Sequence, residues 1–132
     1  MKYVVYVIFT LLIILPFAVS AVSEEIDYMA GYEKQMKVCA DTQKVIDGVV
    51  QWLKDHHYEN YPRAKETVED ALDQSAYGED AKKKAEAFAA KGNWQQAYGW
   101  ANQYWQYQVK VATQGLLAQK MVVDAEAAAQ QK

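Results

Sequence analysis

Residues 29–53 read MAGYEKQMKVCADTQKVIDGVVQWL, and their periodicity decides the fold class. Met29, Tyr32, Met36, Cys39, Gln43, Ile46, Val50 and Leu53 follow one another at alternating steps of three and four. That is an a/d seam of an α-helix, interrupted by one polar residue, Gln43. Val38, Val45, Val49 and Trp52 widen the apolar face beyond a strict coiled-coil seam, which suits a helix with more than one neighbour. The first helix is expected from about Glu24 to His57.

Downstream, His56-His57-Tyr58-Glu59-Asn60-Tyr61-Pro62 ends this helix. A proline disfavours helix at the residue before it and readily opens the next one. Tyr61, Ala64, Val68, Ala71, Leu72 and Ser75 make a second, narrower stripe that runs to Gly78, read as a helix C-cap. Glu79 and Asp80 then place acids at the positive end of a further segment striped by Ala81, Ala85, Phe88 and Ala89. Lys91-Gly92 stops it. The two segments together form one arm, broken or kinked near Gly78. Asn93-Trp94-Gln95-Gln96 has a capping-box pattern, with Asn93 accepting from the first turn and Gln96 reaching back. No proline follows, so one long helix is expected from Trp94 to about Ala129.

Three arms of matched length joined by short turns predict an all-α protein, an up-down-up three-helix bundle with its middle arm broken near Gly78. Residues 85–97, AEAFAAKGNWQQA, resemble the helix-turn-helix of a tetratricopeptide repeat, in which a Gly-Asn/Asp-aromatic-x-x-Ala run opens the second helix. The resemblance covers about 25 residues and implies a tight turn between antiparallel helices. It departs at Ala101, where the family has a large residue, and no second copy stands at the family's repeat length. Loosely, the chain is also similar to alanine-rich helical proteins of bacterial envelopes.

Upstream of the seam, Lys2 precedes an apolar run, and Pro16 is followed by the small residues Ala18, Ser20, Ala21 and Ser23. Positive before and acidic after (Glu24, Glu25, Asp27), with signal-peptidase spacing, this is an export signal. Residues 3–22 are also long enough to span a bilayer. Residues 1–23 therefore read as a signal peptide or a signal anchor, preceding the N-terminal end of a helical domain, 24–132. The expected location is periplasmic or extracellular, with membrane attachment if the leader is retained.

Composition sets limits on function. With 132 residues, 52% hydrophobic and 23% charged, the chain has the make-up of one globular domain. Residues 24–80 carry fourteen acids against six bases, and residues 81–132 three acids against seven bases. Neither half has the dense basic patch of a nucleic-acid binder. The single cysteine, Cys39, cannot form a disulfide within the chain and reads as a small buried hydrophobe. His56 and His57 diverge by about 100° on a helix, and no pair of ligands stands at metal-site spacing. They read as polar residues at a fraying helix end. No nucleophile motif, phosphate loop or haem attachment is present, so neither enzymatic activity nor a cofactor or metal is expected.

The densest signal is aromatic. Trp94, Tyr98, Trp100, Tyr104, Trp105 and Tyr107 place six rings in fourteen residues, with no charge between Lys91 and Lys110 and glutamine at many polar positions. Such rings fit the domain's own core, a protein interface, or a cage for a sugar or amine. The function expected is a non-enzymatic structural or interaction module of the cell envelope. It would bind another envelope protein or itself through residues 94–107. The alternative is a bundle that binds a small sugar, amine or lipid.

Overall fold

The computed structural model describes residues 26–131, and the expected leader, 1–23, lies outside them. Helix α1 spans Tyr28–Asp55, α2 Pro62–Ala90 and α3 Trp94–Gln130. No strand occurs among the described residues, and the three helices pack on one another as a bundle.

Asp27 caps α1, its carboxylate accepting from the Ala30 N–H at 3.0 Å. The two rows of the seam divide the work. Cys39, Ile46 and Leu53 are buried, whereas Met29 and Val50 in the companion row stay exposed. The helix ends on a stack: the His56 ring lies 3.7 Å from the Trp52 ring at 15°, with its Nδ1 2.9 Å from the Trp52 carbonyl. It is His56, not a frayed end, that closes the last turn of α1. His57 then takes a left-handed backbone, φ 50°, and a 3-10 turn, Tyr58–Asn60, leads to extended Tyr61 and Pro62 at the start of α2.

The expected break near Gly78 is absent, because α2 runs through it without interruption. A glycine also permits close helix approach, and that is its use here. A Cβ on Gly78 would stand 3.2 Å from the Tyr107 Cβ. The other buried residues of α2 are Ala64, Ala71, Ala81 and Ala85, an all-small row on which α3 rests. The stop signal that does act is Gly92, at φ +71°. Its N–H donates to the Ala89 carbonyl and that of Asn93 to the Phe88 carbonyl, a Schellman cap.

Asn93 caps α3 as expected, accepting from the Gln96 N–H at 3.3 Å. The reciprocal half of the capping box is unnecessary, since Phe88 already takes the Asn93 N–H. At 37 residues, α3 is about 55 Å long. Its buried row, Ala97, Ala101, Tyr104, Gln108, Gly115, Ala118 and Val122, follows the same a/d steps as α1.

Helix α3 is the spine. Gly31 meets Tyr98 and Val49 meets Gly115, so α1 and α3 run parallel. Gly78 meets Tyr107 and Thr67 meets Met121, so α2 and α3 run antiparallel. No Cα of α1 comes within 8 Å of a Cα of α2, which leaves a groove between them floored by α3. Two apolar clusters hold the three helices together: Leu53, Ala64, Ala118 and Val122 toward one end, and Cys39, Ala81 and Tyr104 farther along. Between them lies Gln108, 2% exposed, whose amide donates to the Cys39 carbonyl at 3.0 Å and to Gln43 at 3.1 Å. The one polar step in the α1 seam thus meets the one buried polar residue of α3.

Candidate interaction face of the third helix

The six rings of residues 94–107 sort by the angle each takes around α3. Trp94 and Tyr98 turn to α1. The Trp94 ring lies 5.9 Å from the Tyr32 ring, and the Tyr98 ring lies 6.2 Å from the Tyr28 ring and covers Gly31, where an added Cβ would stand 3.2 Å from it. Trp100 and Tyr107 turn to α2. Lys84 Nζ sits 4.5 Å over the Trp100 ring, and Tyr107 stacks on Tyr77 at 5.9 Å. Tyr104 enters the core between Cys39 and Ala81, 5% exposed, and its hydroxyl lies 3.0 Å from the Gln108 amide. Burial, reinforced by the nearby Glu79 carboxylate, pushes the Tyr104 phenol up to about 12.

Trp105 stands apart from these five. It is 38% exposed and turns to solvent. One, three and five turns on, Val109, Leu116 and Val123 continue its side of α3, all exposed. The heptad step from Val109 to Val123 is readable in the sequence, beside the denser aromatic signal of residues 94–107. Of the glutamines, Gln95, Gln96, Gln103 and Gln106 are exposed and only Gln108 is buried.

Elsewhere the chemistry is spare. Cys39 is 1% exposed, its Sγ 3.8 Å from the Ala101 carbonyl, and burial pushes the thiol up to about 11. A thiol held neutral at physiological pH is a poor nucleophile. Among the described residues no three His, Cys, Asp or Glu side chains gather where they could hold a metal ion. No helix of the described residues is long and apolar enough to cross a membrane. Clefts of about 310 Å³ and 170 Å³ open along the α1–α2 groove, the first beside Met36, Lys44, Asp47 and Lys82, the second beside Ile46, Val50, Val68 and Leu72.

No protein-family model, curated protein or solved structure matches the chain.

Proposed function

We propose that this is an exported, non-enzymatic interaction module of the cell envelope, which binds a protein partner through the face of α3 that carries Trp105. The observation that supports it is the sorting of the rings. Five of the six are engaged with residues of α1, α2 or the core, and the sixth is left on the surface at the head of an uncharged stripe. An exposed tryptophan flanked by aliphatic side chains is the composition of an interface core. Under this reading residues 1–23 direct the chain out of the cytoplasm, either as a cleaved signal or as a retained anchor. Trp94, Tyr98, Trp100, Tyr104 and Tyr107 serve binding indirectly by fixing the orientation of α3.

The test is capture of the envelope partner by the full chain and by Trp105→Ala. The variant should stay helical by circular dichroism and lose capture at least tenfold. Capture unchanged by the substitution refutes the assignment.

A second reading, a small-ligand binder, draws on the α1–α2 groove, where Gln108 Oε1 is buried without a hydrogen-bond partner and clefts open on either side. It predicts a thermal shift with a specific sugar, amine or lipid that Gln108→Leu removes. A flat response across such a panel rejects it.

A further inference from the structure

Six exposed apolar side chains occupy one side of the α1–α3 pair. Val38 and Val45 stand one heptad apart on α1, and Trp105, Val109, Leu116 and Val123 line α3, with exposures of 38% to 55%. Residues seven apart share a helix face. Each set lies on the edge of its helix turned away from α2. The α2 edge of α1 is taken by Asp47 and Val50, and that of α3 by Tyr107 and Val111. Because α1 and α3 run parallel with Gly31 level with Tyr98 and Val49 level with Gly115, Val38 stands level with Trp105, and Val45 falls between Val109 and Leu116. The result is one continuous face rather than two stripes.

We propose, resting on the interaction reading above, that a second copy of this chain covers this face with the same face, about a two-fold axis parallel to the helices. Several features favour that occupant. None of the six side chains is ionised, so pairing the face with itself strips no charge of water and opposes no like charges. With the axis along the helices, α1 of each copy lies on α3 of the other, in the same direction and at the same level. Val38 then meets the second copy's Trp105, and Val45 falls between its Val109 and Leu116. The apolar run 3–22 precedes α1, so copies held by it in one membrane have α1 starting at the same side, as the parallel axis requires.

The size fits too. From Trp105 to Val123 the face is roughly 27 Å long and two helices wide, on the order of 500 Å² per copy. About 1,000 Å² for the pair is the lower bound of a specific interface. The expected dimer is therefore weak in dilute solution and favoured where membrane attachment concentrates the chain.

The test uses two full-length, differently tagged copies expressed together, one carrying Val45→Cys and the other Val109→Cys, treated in cells with a short thiol cross-linker. A mixed-tag product at least tenfold above that from Val45→Cys with Leu117→Cys is expected. Leu117 is as exposed as Leu116 but points about 100° away from the face. Leu116→Lys added to both copies should abolish the product. Absence of a mixed product, or equal yield from the Leu117→Cys pair, overturns the second copy as occupant. If Trp105→Ala still abolishes capture of a different protein, the interaction reading survives that result. If it does not, both readings fall.

Discussion

Tyr104 and Trp105 are adjacent in the chain and go to opposite environments: Tyr104 is 5% exposed between Cys39 and Ala81, and Trp105 is 38% exposed on the outer edge of α3. A helix turns about 100° per residue, so neighbouring rings cannot share a face. Removing one ring should act on stability and removing the other on binding. Tyr104→Ala is expected to cost about 3–5 kcal/mol, the range for deleting a buried aromatic. Trp105→Ala should cost clearly less, about 1–2 kcal/mol, because part of the ring is already in water. Urea unfolding of the two variants side by side checks this, and equal losses would mean that Trp105 is structural.

Gly78 and Gly99 are both helical glycines, and they should respond oppositely to alanine. At Gly99 a Cβ would meet nothing within 4 Å, so Gly99→Ala should stabilise by about 0.5–1 kcal/mol through helix propensity. At Gly78 the new methyl would press on the Tyr107 Cβ at 3.2 Å, a backbone-proximal atom that yields only if α2 and α3 separate. Overpacking of this kind costs about 1–3 kcal/mol, which outweighs the propensity gain. Thermal melts of the two variants should shift in opposite directions.

Alkali should destabilise the fold most through two groups. Tyr104 is raised from 10.0 to about 12 and Cys39 from 9.0 to about 11, both chiefly by burial. Both are acids whose neutral form the fold prefers, so the unfolded chain gives up these protons first. Their contribution is complete below pH 9 and is lost as pH rises through 9–12. Each accounts for on the order of 2 kcal/mol across that window. Unfolding free energies measured from pH 8 to 11.5 should fall, and more gently in Tyr104→Phe and Cys39→Ala. An unchanged slope in both variants would contradict the assignment.

The legible part of this fold was the part set by short-range physics. The three-four steps from Met29 to Leu53 specify α1 because the helix repeat is a property of the backbone, and Asn93 and Gly92 announce a turn through their own cap chemistry. Gly78 is ambiguous in sequence because the same residue ends a helix or admits a neighbour, and only the position of Tyr107 decides which. The burial of Gln108 is set at long range in the same way: its partner Gln43 lies 65 residues away. Sorting the six rings also needed the registers of α1 and α2 against α3, which no local pattern contains. The stripe Val109–Leu116–Val123 was in the spacing all along, overshadowed by the larger side chains before it.

The central claim is that the Trp105 side of α3 is a protein-binding face, and site-specific photo-cross-linking of the full chain in intact cells tests it most directly. A photoreactive residue placed in turn at 105, 116 and 117 should give one discrete adduct from 105 and from 116, and none from 117. No discrete adduct from 105, or the same products from 117 as from 116, would contradict it.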